Sequence, residues 1–512
     1  MSLLKDSSWF RRFGIAAIIL VVATVLLYPH FCNAVDPDDT AYLTLARRWA
    51  TGDWARAVNG YWSPWGIWLT ALLAKTGLAV IPAAIIQNTS GALLLLLASL
   101  LLFRRLNLSA RIQIIFTVGL LVFLQHAIYA QWFDDLWAAA FLLLALYLLL
   151  HKDFSTSPRL WVAYGCIGAL AYYAKAYSLP FFALSTLVCS LPLLGADRKR
   201  WMPFLLISGS TAALLCVPWW IALHSKYGFW TTGTAGALNL SWGLLGHPIF
   251  TEGPQSLLAP RYPDSPSFWE DPWWVNAKTV HFWDSWRMVG MQLIRIAYFS
   301  VRLCIKACTL SPLVLVGLIA ALRTLIHRRR HIEADERILC WQMVLFPIGL
   351  LFVHSESRYL WYLVPITMCL VGRALQQQAI RRQTVLALVA ALCFCIEPAL
   401  SFPKLWHLGR QERRLAFALK KVPFEGAFAL SSNIPGSYPF ASRLAFFSGV
   451  PYWAEAGECH EPQSVLQQMR RRSIPFRIHL LNGAQPLPGE KLVYSTRNAS
   501  VFYCIDCMGE KH

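Results

Sequence analysis

Three carboxylates, Asp36, Asp38 and Asp39, fall within four positions just after the first apolar run of the chain. A carboxylate beside apolar surface has its proton affinity raised by desolvation, which suits abstraction of a proton from a sugar or lipid hydroxyl. Asp38 and Asp39 are therefore the candidate catalytic pair. Asp is equally common as a helix cap, and the stretch 40–53 repeats Ala41, Leu45 and Trp49 at helical spacing, as a helix lying at a membrane interface would. Asp38 or Asp39 could cap that helix, and the spacing leaves open which of the two is the base and which the cap or substrate contact.

A second acidic pair, Asp134 and Asp135, sits in the tight turn between the third and fourth apolar runs. Two acidic pairs on one side could bind a divalent cation through oxygen ligands, or orient the hydroxyls of a sugar. The pattern alone leaves both open. Lys175 and Arg358 are the chief cations of the short loops on that side. A Lys or Arg near a span end commonly snorkels to the interface. A guanidinium also binds phosphate bidentately, so on a lipid-linked phosphodiester Arg358 would hold the phosphate and stabilise the charge it gains as the glycosidic bond breaks. Glu356 would position the guanidinium, and Tyr359 stands next to it. Tyr61 and Trp62, with Trp65 and Trp68, form an aromatic belt suited to the headgroup boundary, to stacking on a sugar or to lining a prenyl-chain groove. His126 and His354 read as packing or interface residues. No metalloprotease spacing, phosphate-binding glycine loop, dinucleotide fingerprint or nucleophile elbow occurs, so no cofactor is expected beyond that divalent cation.

These groups need a scaffold, and the composition defines its kind. Of 512 residues, 56% are hydrophobic and 14% charged, with long uncharged apolar runs. The chain is a polytopic membrane protein, with about eleven spans near 14–30, 82–102, 111–128, 135–150, 160–174, 178–195, 203–223, 308–326, 338–354, 359–375 and 384–400. With the N-terminus inside, Arg11, Arg12, Arg104, Arg105, Arg198, Lys199, Arg200, Arg328, Arg329, Arg330, Arg381 and Arg382 fall on the inner side, following the positive-inside rule. The net charge of +19 is in large part this topology signal and makes no case for nucleic acid. Both acidic pairs then face outwards. The long stretches 31–81 and 225–301 are external loops of a membrane domain covering 1–401. Residues 69–78 read as a second interfacial or re-entrant helix.

Residues 402–512 form an external tail the size of one small α/β domain, with strands expected at 427–430, 477–481, 492–495 and 501–504 and a helix at 464–471. Cys459, Cys504 and Cys507 lie there, and a disulfide among them fits an oxidising compartment. Cysteines inside the apolar runs, such as Cys189 and Cys369, read as buried thiols.

The ordered motifs resemble a known family. Asp38-Asp39-Thr40-Ala41-Tyr42, with Ala46-Arg47 and Gly52-Asp53-Trp54, is similar to the first external loop of the protein O-mannosyltransferase and lipid A aminoarabinose transferase superfamily. Asn59-Gly60-Tyr61-Trp62-Ser63-Pro64, Asp134-Asp135-Leu136, Leu170-Ala171-Tyr172-Tyr173-Ala174-Lys175 and Ser357-Arg358-Tyr359-Leu360-Trp361 resemble its later segments, in the same order and sidedness. The resemblance implies an all-α membrane domain of the C-type glycosyltransferase fold carrying a small α/β external domain. It implies a polyprenyl-phosphate sugar donor, inversion at the anomeric carbon, a glycan, lipid or protein acceptor, and residence in a bacterial inner membrane with the site outside. Asp38 would be the base, and Lys175 and Arg358 would face the lipid phosphate. The chain departs from the aminoarabinose branch at Ser63-Pro64-Trp65, where that branch has Lys-Pro-Pro, and at Ala176, where it has Gly.

Two other classes compete. A transporter or flippase of lipid-linked glycans would carry charges at mid-span and repeated halves. Here the acidic pairs and rare cations gather at external ends, and no repeat occurs. A non-catalytic subunit of an envelope assembly would leave Asp38 dispensable.

Overall fold

In a computed structural model, the residues described are 7–194, 198–246, 257–275, 279–327, 333–431, 437–455, 462–480, 485–496 and 498–508. Cys459 and Arg328–Arg330 lie outside them. The chain divides into two compact units, one of Met1–Phe31, Ser63–Gly233 and Val289–Trp406, the other of Cys32–Trp62, Thr234–Met288 and His407–His512. The second unit draws the greater part of both long loops into the same body as the tail.

The first unit is helical. Among the described residues six helices are long and apolar enough to cross a membrane: Trp9–Phe31, Val80–Arg105, Ala110–Ala130, Lys199–Tyr227, Trp286–Leu310 and Ile380–Leu419. Shorter apolar helices include Asp135–Leu149, Ser178–Leu191, Pro312–His327 and Leu363–Leu375. The chain is an integral, multi-pass membrane protein. The helix Trp286–Leu310 begins inside the stretch expected to be loop. Arg287, Arg295 and Arg302 break up its apolar run in the sequence. In the structure Arg295 reaches the Val353 carbonyl at 3.1 Å, while Leu293, Ile294, Val301 and Ile305 stay exposed, as lipid-facing residues would be. The expected span 338–354 also breaks: helix Ala334–Leu345 gives way at Pro347 to a 3₁₀ turn, Ile348–Leu351.

Close helix contacts in this unit depend on small residues. On helix Pro158–Ala174, a Cβ at Gly165 would collide with the Ser208 carbonyl, and one at Gly168 with the Phe182 ring. Helix Val80–Arg105 presents Gln87 and Asn88 to the end of Ala110–Ala130. Asn88 Nδ2 donates to the carbonyls of Ile128 at 2.9 Å and Gln131 at 2.7 Å; Gln87 binds the Trp132 carbonyl and accepts from Trp137 Nε1 at 2.9 Å. These clamps satisfy carbonyls that a helix end leaves unpaired. They hold the turn that carries the second acidic pair.

The second unit holds a six-stranded sheet: β1 Leu257–Leu258, β2 Phe428–Ser431, β3 Tyr452–Glu455, β4 Phe476–Leu480, β5 Glu490–Ser495 and β6 Ala499–Cys504. Their order is β1-β3-β2-β4-β6-β5. β2 pairs in parallel with β3 and β4, and the remaining pairs are antiparallel. Four strands and the helix Pro462–Arg472 match the expected positions to within a few residues. β1 was not legible, because a strand of 2 residues gives period-two alternation too little length to show, and β3 was not expected either. Phe428, Leu430, Ile478 and Val501 fill the core. Beside them the buried Arg477 pairs bidentately with Glu490 at 2.7 and 2.6 Å and donates to Ser431 Oγ at 2.6 Å. Cys504 and Cys507 form a disulfide.

Candidate active site

The first acidic cluster opens the helix Pro37–Thr51 in the second unit. Asp36, rather than Asp38 or Asp39, is the N-cap: its Oδ1 accepts the Asp38 N–H at 3.1 Å. Asp39 closes the capping box by accepting the Asp36 N–H at 2.8 Å, and it is only 1% exposed. Pro37 at the first helical position suits its fixed φ, and Gly52 ends the helix with φ 83°. Capping therefore occupies Asp36 and Asp39. Asp38 stands half-buried one position earlier, its Oδ1 accepting the Trp269 indole N–H at 2.9 Å.

Aromatic rings surround that carboxylate. Asn59 Oδ1 accepts the N–H groups of Tyr61 and Trp62 at 2.8 and 3.0 Å, a local turn that presents both rings. Tyr61 lies 5.5 Å and Trp62 5.9 Å from the Trp269 ring, and Trp62 Nε1 donates to the Trp269 carbonyl at 3.1 Å. The base of the helix is fixed by Arg48, buried against Glu270 at 2.9 Å, Asp264 at 3.2 Å and Asp53 at 3.3 Å. Burial pulls the Arg48 guanidinium towards the neutral form, but Glu270 and Asp264 outweigh it and hold its pKa above the ordinary value.

Asp135, Lys175, Glu356, Arg358 and Tyr359 meet in the first unit. Asp135 opens the helix Asp135–Leu149, and its carboxylate forms an ion pair with Lys175. Its Oδ2 lies 3.8 Å from Arg358 Nε, which also touches Glu356 Oε2 at 2.7 Å. Gln131 accepts from the same guanidinium. Lys175 Nζ stands 4.0 Å from the centre of the Tyr359 ring, and the Arg358 guanidinium 5.3 Å from it. His354 Nε2 completes the row at 3.1 Å from Glu356. Burial works to raise the Glu356 pKa, yet the Arg358 charge, the His354 contact and the Lys175 charge hold it down to about 2. Two cations thus converge over one aromatic ring, balanced by two carboxylates.

Asp134 does not join that group. It is the centre of a γ-turn, φ 59° and ψ −42°, closed by the Asp135 N–H to the Phe133 carbonyl at 2.7 Å. Positive φ in a γ-turn is strained for a residue with a Cβ. Its Oδ1 accepts the Gly66 N–H at 3.1 Å, from the start of helix Pro64–Lys75. The turn aims Asp135 at Lys175. The two positions that depart from the aminoarabinose pattern touch each other: Ser63 Oγ accepts the Ala176 N–H at 3.3 Å.

Gln131, Gly66 and Trp269 have no role in the sequence reading. A backbone donor and a side chain 231 positions from its partner leave no local pattern. Among the described residues no group of three or more His, Cys, Asp or Glu converges as a metal site.

The helical membrane unit, with the small sheet domain that follows it, is the C-type fold of membrane glycosyltransferases. The likeness extends over 99% of this chain and 100% of the crystal structure of ArnT from Cupriavidus metallidurans bound to undecaprenyl phosphate, with a TM-score of 0.58 and 13% identity. The apo structure of the same protein aligns over 97% of this chain and 100% of its own, with a TM-score of 0.54 and 13% identity. No protein-family model matches the chain, and no curated protein matches it by sequence.

Proposed function

We propose that this protein is an inverting glycosyltransferase that moves a sugar from a polyprenyl-phosphate donor to a glycan, lipid or protein acceptor on the external face of a bacterial inner membrane. The observation that carries the reading is the convergence of Lys175 and Arg358 over Tyr359 within a C-type fold. Such a pair suits the phosphate of a lipid carrier. The ArnT structure that shares the fold is one bound to undecaprenyl phosphate.

Asp38 takes the proton of the acceptor hydroxyl. The acceptor oxygen forms its bond to the anomeric carbon from the face opposite the leaving group, and the bond from that carbon to the phosphate oxygen breaks. Polyprenyl phosphate leaves with the electron pair, and Lys175 and Arg358 meet its growing charge. Asp135 and Glu356 hold those cations in place before the donor arrives. Tyr61 and Trp62 give flat apolar faces for a sugar ring. Transfer needs no cofactor in this reading; a divalent cation on the acidic pairs is the alternative.

The test is transfer by purified protein from a radiolabelled polyprenyl-phosphate sugar, comparing wild type with Asp38→Asn, with and without chelator. Loss of transfer in the variant and indifference to chelator are expected. Unchanged transfer by Asp38→Asn would remove the base and favour a non-catalytic subunit. Loss on chelation would establish the metal route.

A further inference from the structure

At the end of the first unit where Arg11 and Arg12 lie, a groove runs between helices Trp9–Phe31, Val80–Arg105 and Ala110–Ala130. Its volume is about 180 Å³, and it is lined by Trp9, Arg12, Ile19, Leu100, Gln113 and Leu121, among others. Its wall is almost wholly apolar; polar groups come from Arg12, Gln113 and Thr117. From Trp9 to Ile19 it follows ten residues of helix, about 15 Å at the α-helical rise. That is roughly half of a hydrocarbon core about 30 Å thick, the depth of one leaflet.

The arginine end is strongly basic. Arg104 lies 5.9 Å from the centre of the Trp9 ring, which itself lines the groove. Arg111 lies in the first turn of the neighbouring helix, Ala110–Ala130. An apolar channel one leaflet deep with a cationic mouth matches a lipid whose head carries negative charge.

We propose that this groove holds one acyl chain of an anionic membrane phospholipid, with the phosphate headgroup at the Arg12 end. The site is separate from the Lys175–Arg358 cluster and takes a resident lipid rather than the donor. A chain seated there would cover the side chain of Ile19, which is exposed.

The test is native mass spectrometry of the purified full-length protein supplied with equal amounts of dioleoyl phosphatidylglycerol and dioleoyl phosphatidylcholine. Wild type should retain the anionic lipid over the zwitterionic one by roughly fivefold or more, the scale set by one arginine at an anionic surface. Arg12→Gln should erase most of that preference while chain binding persists. Thr117→Phe, which fills the groove, should release both lipids. Equal retention of the two lipids by wild type, or an unchanged preference in both variants, would overturn the proposal.

Discussion

The backbone N–H of Gly66 donates to Asp134 Oδ1 at 3.1 Å, tying the first turn of helix Pro64–Lys75 to the γ-turn that aims Asp135. A Cβ added at Gly66 would lie 3.0 Å from that oxygen and 3.1 Å from the Phe133 ring. Gly66→Ala should therefore push the turn apart, at about 1–3 kcal/mol for overpacking a buried contact. Thermal unfolding in detergent and donor binding should both suffer. Asp134→Asn keeps the acceptor oxygen and should be milder than Asp134→Ala on both counts. Equal effects of the two would show that the hydrogen bond is not what holds the turn.

Arg358 can be separated into charge and geometry. Arg358→Lys keeps a cation but loses the planar fork that meets Glu356 and Asp135, and Arg358→Ala loses both. Removing a group that stabilises developing charge costs on the order of 10²-fold in rate. The alanine variant should show that loss in steady-state transfer, with the lysine variant intermediate. A lysine variant as active as wild type would reduce the guanidinium to a point charge.

Glu356 makes a prediction about acid. Its folded pKa is depressed from 4.5 to about 2, so the stability its ionised form contributes is fully present above 4.5. That stability is lost as the pH falls from 4.5 through about 2. Glu356→Gln never carries the charge. The gap in melting temperature between wild type and variant should be present above pH 4.5 and close below it. A gap that widens in acid would contradict the assignment.

The pair Arg477–Glu490 lies in the core of the sheet domain, with side chains 1% and 0% exposed. Removing one partner strands the other charge without water. Glu490→Ala should destabilise this domain by about 3–5 kcal/mol. A double replacement, Arg477→Met with Glu490→Leu, should recover much of the loss. Denaturant unfolding of the full chain, followed through protection of the Cys504–Cys507 region, distinguishes these outcomes.

Much of this protein is written in local pattern. Apolar runs and the side on which arginines gather mark a multi-pass membrane protein, because burial in lipid is decided residue by residue. The rare charged residues at the span ends pointed to Asp135, Lys175, Glu356 and Arg358, and the structure brings these four together. They are legible because a charge near hydrocarbon is costly and must have a reason to be there.

What tertiary structure alone decided was partnership. Asp36, Asp38 and Asp39 look alike in the sequence; only the closed capping box separates Asp36 and Asp39 from Asp38 beside Trp269. Lys175 reaches Asp135 across 40 positions, and Arg358 reaches Gln131 across 227. The helix Trp286–Leu310 was hidden because its arginines break the apolar run, and β1 is too short to alternate. Hydropathy and spacing act over a few turns of chain. Contacts made across hundreds of residues depend on how helices and strands pack, and packing is a property of the whole fold.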